Sequence, residues 1–359
     1  MNISVNSTWQ LQAIEAIRTN WIPHRKQLRA ETEIYTTLVT SSPGDVIVIV
    51  GPSRVGKSSL TEMIAARVVD PSSQHSSPFK QVVRISARNG GKDGKFTTQS
   101  FLLSALKHMG HPMLATTGQP HADLTVTRLL DRVKISTLQA AFEDSIGYLK
   151  VKYLIIDEVQ HLSHVAGGLA NVLPILDSWK SLAEELGIVL VLTGAYPILQ
   201  VILQSPHMVG RKSEIHFPRY QQTNADDVAE FSRILVTLDH LIGEGSRSSL
   251  INSNDLLYQG SLGCIGLLNK WVVNALIASS IENSESLSEE HLNSTRMSNS
   301  DIDSMLCEIE LGEELMRNDK SISGTSMLAI RADQHTKKRS KGKPFESKLK
   351  RFAVASEEV

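Results

Sequence analysis

"GPSRVGKS", residues 51–58, decides the fold. It follows "DVIVIV" at 45–50 and precedes "SLTEMIAARVV" at 59–69. The first run is short, β-branched and uninterrupted, which predicts a strand at 46–50 buried on both faces. The second places Leu60, Ile64 and Val68 at helical spacing. Strand, glycine loop and helix, in that order, form a phosphate-binding loop of pattern G-x-x-x-x-G-K-S. Gly51 and Gly56 allow the tight turn. Gly51, Pro52, Ser53, Arg54, Val55, Gly56, Lys57, Ser58 and Ser59 make the expected cradle, in which backbone N–H groups and the helix N-terminus face phosphate oxygens. Lys57 is expected to reach the β- and γ-phosphates, and the Ser58 hydroxyl to coordinate Mg²⁺.

A second element answers the first. "VKYLIIDEVQH" at 151–161 is an apolar strand ending in Asp157 and Glu158. A carboxylate at the end of a neighbouring parallel strand can hold the magnesium shell, which assigns Asp157 to the metal. Glu158 then stands where it can orient or deprotonate an attacking water. The pair argues for hydrolysis of a nucleoside triphosphate rather than binding alone. "GIVLVLTGA" at 187–195 is another buried strand. Its Thr193 either contacts the γ-phosphate or the water as a sensor, or simply closes the strand.

Around these motifs strands and helices alternate. "KQVVRISA" (80–87) reads as the second strand and "EIHFPRY" (214–220) as the fifth. "FLLSALKHMG", "LTVTRLLDRVKISTLQAAFEDSI" and "LPILDSWKSLAEELG" read as helices, the last stopped by Gly187. The expected fold is α/β, a five-stranded parallel sheet with helices on both faces and the ligand at the carboxyl ends of the strands. Residues 1–44 are expected to form an N-terminal helical segment and 45–222 the core. "NADDVAEFSRILVTLDHLI" and "CIGLLNKWVVNALIASS" predict a helical lid at 223–280, with Asn224 capping the first helix. An acidic helical or linker segment at 281–330 and a basic tail at 331–359, disordered when alone, complete the chain.

Composition excludes several classes. The 359 residues suffice for one large α/β domain and a smaller one. Two cysteines, Cys264 and Cys307, are too few for a disulfide framework or a zinc site and suit a reducing cytoplasm. No run of eighteen apolar residues occurs, so no membrane partner is expected. The net charge of −1 names no partner, but its distribution is uneven. Residues 80–134 carry nine bases against three acids, 281–320 eleven acids against three bases, and 331–351 nine bases against two acids. Such blocks suit charged partners handled regionally. Within the first block, "RNGGKDGKFTTQS" (88–100) offers Lys92, Lys95, Thr97 and Thr98 to phosphate oxygens, and Arg128 and Arg132 are four apart on an expected helix. On charge alone these residues read as a solvated loop and helix; no base-reading motif accompanies them, so DNA contact, where the resemblance given below implies it, should follow the backbone.

The loop with its PSR insert, "LIIDEVQHL" (154–162), "GCIGLLNKW" (263–271) and "KGKPFESKLKRF" (341–352) together resemble the AAA+ ATPases, and within them the transposition regulators TniB and TnsC, more distantly MuB and IstB. The resemblance covers about residues 20–280 and the tail. It implies an ATPase that uses ATP and Mg²⁺. Such a protein assembles on double-stranded DNA as a ring or filament and connects a target selector of the TnsD/TniQ kind to a transposase. Hydrolysis then disassembles it. It also implies an arginine reaching across to the neighbouring subunit's ATP. Arg211 is the first choice for that finger, with Lys212 and Arg219 behind it. Family lids often carry an arginine where this chain has Gly266, which places Gly266 at the nucleotide. Phe345 and Phe352 would anchor a transposase-docking tail. A signalling NTPase that switches a protein partner without touching DNA would use the same loop, Asp157 and lid.

Overall fold

Val46–Val50, the strand expected before the glycine loop, pairs in parallel on both sides in the computed structural model of the chain. The structure describes residues 8–68, 81–88, 95–114, 133–165, 171–202, 212–243 and 250–321. Five strands, β1 (Val46–Val50), β2 (Val82–Ser86), β3 (Tyr153–Asp157), β4 (Val189–Gly194) and β5 (Lys212–His216), form one parallel sheet in the order β2-β3-β4-β1-β5. Every residue of the central strands β1 and β4 is buried, whereas the edge strand β2 alternates and β5 has one buried residue, Ile215. That difference explains why the central strands read as unbroken apolar runs.

The fifth strand is shifted from its expected position at 214–220. It begins at Lys212 and ends at His216, opposite Val50. Pro218 supplies the reason, since it has no N–H to continue a ladder. Phe217 N still donates to Val50 O (2.8 Å), and Tyr220 N turns to Gly263 O (3.0 Å). The second strand is likewise shorter than 80–87.

The helices are α1 (Thr8–Thr19), α2 (Arg25–Thr40), α3 (Lys57–Val68), α4 (Thr98–Met109), α5 (Ile135–Leu149), α6 (Val172–Leu186), α7 (Pro197–Ile202), α8 (Ala225–Ile242), α9 (Asn254–Ser261), α10 (Ile265–Ile281), α11 (Glu289–Thr295) and α12 (Asn299–Ser321). Asn224 caps α8 as expected, its side chain accepting from Asp226 N and Asp227 N. Contacts make the residues up to Glu313 one compact unit; those from Glu314 onward are a second. Among the described residues no single helix is long and apolar enough to cross a membrane.

Among the described residues of the first unit, two clusters of buried side chains matter for the site. One lies against the sheet and joins Ile34 and Leu38 of α2 to Ile47, Ile49, Leu60 and Ile64. The other joins Phe231, Leu235, Leu268 and Trp271 of the lid helices to Ile14 and Ile17 of α1 and to Leu292 of α11. The two N-terminal helices therefore serve different cores. Burying each large apolar side chain contributes about 1.5–3 kcal/mol, so Ile14 and Ile17 help hold α1 against α8 and α10. Trp271 is core, as its apolar neighbours predict, with its Nε1 donating to Leu292 O (2.9 Å). Trp179 is core too, with its ring 5.0 Å from that of Phe101.

Candidate nucleotide-binding site

The glycine loop leaves β1 at Gly51 and enters α3 at Lys57. A Cβ on Gly51 would stand 2.2 Å from Phe217 O, so only glycine lets β1 end against the outgoing chain. Lys57 is buried, and its Nζ donates to the carbonyl oxygens of Gly51 (3.0 Å) and Pro52 (2.7 Å). Burial pushes its pKa down to about 8, against the raising pull of Glu158 and Asp157. Ser53 Oγ lies 3.5 Å from Glu308 Oε1 of α12, Arg54 is exposed at the loop tip, and Val55 is buried.

Asp157 ends β3 and is nearly fully buried. Its Oδ1 accepts from Thr193 Oγ1 (2.6 Å) and Glu158 N (2.9 Å), and its Oδ2 from Arg84 Nη2 (2.7 Å). Burial alone would raise its pKa, but hydrogen bonds from Arg84, Thr193 and Ser58 outweigh it and hold the carboxyl below its usual range. Ser58 and Asp157, the two residues assigned to the metal, thus touch. A hydroxyl and an ionised carboxylate side by side are hard oxygen donors, and the pair fits Mg²⁺.

Thr193 has no exposed surface, and its hydroxyl is spent on Asp157. Its place in the fold is therefore to fix the carboxylate, a role neither sensing nor strand closure anticipates. Glu158 stands in the left-handed region, φ 60° and ψ 35°. A non-glycine residue held there costs about 1–3 kcal/mol, and such strain collects at functional sites. Its Oε2 accepts from Gln160 Nε2 (2.5 Å), while Gln160 Oε1 accepts from Ala195 N (3.1 Å) at the end of β4. Gln160 thereby ties the Glu158 carboxylate to the strand that carries Thr193. A polar cavity of about 450 Å³ opens beside these groups, lined by Ser58, Arg84, Arg88, Asp157 and Glu158.

Sequence reasoning missed two of these residues. Arg84 was counted with the basic block, yet it lies in the site on Asp157. Gln160 sits inside the acid motif and drew no role. Gly266 opens the lid helix α10, and a Cβ on it would come 2.3 Å from Arg54 O. The start of α10 thus approaches the backbone of the phosphate loop at Gly266 so closely that a larger residue would collide with it.

The fallback finger residues are both engaged within their own chain. Arg219 Nε and Nη2 bind Glu313 Oε1 (2.9 Å) and Oε2 (3.3 Å), and Nη1 donates to Leu262 O (3.3 Å). Lys212 Nζ pairs with Glu214 Oε2 at 2.5 Å. Arg211 lies outside the described residues. The Arg219–Glu313 pair is largely buried, 13% and 7% exposed. Arg219→Ala should therefore lower stability by about 3 kcal/mol, read from the urea midpoint, because it strands a buried carboxylate. An unchanged midpoint would show that the pair is not structural.

Of the DNA candidates, Lys95 and Thr97 are exposed on either side of buried Phe96. Thr97 caps α4, its Oγ1 accepting from Ser100 N (3.2 Å), and Thr98 is the first residue of that helix. Lys92, Arg128 and Arg132 lie outside the described residues, as does the basic tail with Phe345 and Phe352.

The model of the family described as bacterial TniB protein matches residues 13–222, more than half of the chain. No curated protein matches. Among solved structures, Drosophila ORC bound to DNA is similar over 93% of this chain and 85% of that one, at 11% identity and TM-score 0.51. Cdc6p from Pyrobaculum aerophilum is similar over 78% and 69%, at 12% identity and TM-score 0.51. These likenesses support the AAA+ fold and nothing finer. With the phosphate loop, the acid pair and the matched model, the chain belongs to the TniB family.

Proposed function

We propose that this protein is an ATP-hydrolysing regulator of transposition that assembles on double-stranded DNA, links a target selector of the TnsD/TniQ kind to a transposase, and leaves the DNA on hydrolysis. One observation carries the ATPase part. Lys57, Ser58, Asp157, Glu158 and Thr193 converge at the carboxyl ends of β1, β3 and β4 beside one polar cavity. In this reading the backbone from Gly51 to Ser59 cradles the phosphates. Lys57 exchanges its loop carbonyls for phosphate oxygens. Ser58 and Asp157 hold Mg²⁺, which when bound neutralises phosphate charge. Glu158, steered by Gln160, takes the proton of the attacking water. Arg211 reaches from one subunit to the ATP of the next.

Family membership supports the DNA part, and the ORC structure of the same fold is DNA-bound. Lys92, Lys95, Thr97, Thr98, Arg128 and Arg132 are the proposed backbone contacts. Arg84, which falls in the same basic block, is instead paired with Asp157. The test is a gel shift on random-sequence duplex with ATP or a nonhydrolysable analogue across a salt series. A nucleotide-dependent shift is expected. Replacing Lys92 and Lys95 by Ala should flatten the logarithmic salt slope by about 2, since each phosphate neutralised contributes about 0.9. A wild-type slope in that variant would move the DNA path elsewhere. No shift at low salt would leave the partner-switching NTPase as the reading.

A further inference from the structure

Helix α12 reaches the phosphate loop, the end of β4 and the link from β5 to the lid, all through its part up to Glu313. Ile302 and Ile309 are buried, and Gly312 and Glu313 follow Ile309 at helical spacing, so the four share one inward face. At Gly312 a Cβ would fall 2.0 Å from Tyr196 Cγ, so the helix backbone rests directly on the aromatic ring. Glycine weakens a helix interior, and here it admits that close approach. Tyr196 is buried just after β4, with its OH 2.9 Å from His216 Nε2 at the end of β5. Glu313 grips Arg219, which donates on to Leu262 O just before the lid helix α10. One turn before Gly312, Glu308 Oε1 stands 3.5 Å from Ser53 Oγ of the phosphate loop. Lys57 feels that charge: burial lowers its pKa most, and Glu308 is among the groups that pull it back up.

We propose that α12 is an autoinhibitory latch: docked, it holds the Glu308 carboxylate against the phosphate loop and opposes nucleotide, and it lifts as ATP binds. The backbone N–H groups of the loop and the Lys57 ammonium suit an anion. A carboxylate fixed beside them repels the triphosphate that should enter. That repulsion is reciprocal. Whatever the docked helix takes from ATP affinity, bound ATP takes from the docking. Two contacts keep Glu308 in place against it, the backbone of Gly312 on the Tyr196 ring and the largely buried ion pair of Glu313 with Arg219. Neither contact is made to the loop, so the helix can hold a charge there that the loop itself does not favour. Because Arg219 also reaches Leu262 O, the docked helix braces the joint between β5 and the lid.

The latch rests on the reading that the phosphate loop holds a nucleoside triphosphate. The experiment measures ATP affinity of the full chain and of Glu308→Gln, Gly312→Ala and the double variant, at low and high salt. Glu308→Gln keeps an acceptor for Ser53 and removes the charge. It should bind ATP about three- to tenfold tighter, a gain that shrinks as salt rises. Gly312→Ala drives a methyl into the Tyr196 ring and should lift the helix, with a similar gain. The double variant should gain no more than the stronger single one, since both changes remove the same opposition. A nitroxide on Cys307, which is exposed on α12 while Cys264 is buried, reports the lift directly. Its spectrum should become more mobile when a nonhydrolysable ATP analogue is added, and should be mobile from the start in Gly312→Ala. ATP affinity unchanged or weaker in Glu308→Gln would overturn the latch. So would a nitroxide spectrum that saturating analogue leaves unchanged, or a Gly312→Ala chain with a mobile label and no gain in affinity. If Gly312→Ala fails to fold, Glu308→Gln and the nitroxide decide alone. Failure of every triphosphate to bind wild type would instead overturn the nucleotide reading beneath it.

Discussion

Glu158→Gln should bind ATP within about twofold of wild type and turn it over at least about 100-fold more slowly, the scale of a lost general base. The substitution keeps the side chain's shape. A glutamine oxygen still accepts from Gln160 Nε2, so the link to Ala195 N and β4 survives. The left-handed backbone at this position does not depend on the charge. Only the capacity to take a proton is removed. Phosphate release at saturating ATP, measured beside equilibrium binding, separates the two quantities. Assemblies on DNA should outlive those of wild type, since hydrolysis is what dissolves them in this account. Wild-type turnover would remove Glu158 from its role.

Lys57→Ala should weaken ATP binding by at least about 100-fold, because a buried ammonium facing phosphate is worth several kcal/mol in a site shielded from water. The variant should still fold, since it deletes a cation whose burial the protein opposes. That opposition shows in the pKa of about 8, well below the ordinary lysine value. The sign follows from linkage. A lysine with a depressed folded pKa disfavours the fold while it must stay charged, and the penalty lifts as pH rises from about 8 towards the unfolded value. Binding runs the other way. Phosphates favour the ammonium, so ATP affinity should fall by up to about tenfold per unit above pH 8 as free Lys57 deprotonates. Calorimetric titration at pH 8.5 should detect proton uptake in wild type. Undiminished ATP affinity in Lys57→Ala would contradict the site.

Features governed by local chemistry were legible in the sequence. The turn at Gly51 and Gly56, the buried β1 and the helix behind Lys57 all lie within about twenty residues. So do Asp157 at a strand end and Asn224 at a helix start. The fifth strand was misplaced because its alternation is weak at a sheet edge, and Pro218 stops it sooner than its apolar neighbours suggest. Arg84 was hidden by register. Ser86 pairs with Asp157 across β2 and β3, and the two-residue period puts Arg84 on the same face. Nothing in the local sequence fixes that pairing, so Arg84 is only one of nine bases in its block until the sheet is known. Thr193 was seen at the strand end, but its hydroxyl partner could not be seen without the sheet. Likewise, residues 1–44 were legible as a helical segment, but that α1 packs with α8 and α10 while α2 packs on the sheet depends on contacts far apart in the chain.

The most direct test images the full chain with random duplex DNA and a nonhydrolysable ATP analogue in an electron microscope. Collars or filaments of touching subunits wound along the duplex are expected, absent when nucleotide is left out. Isolated single subunits beside bare DNA under both conditions would contradict this assembly.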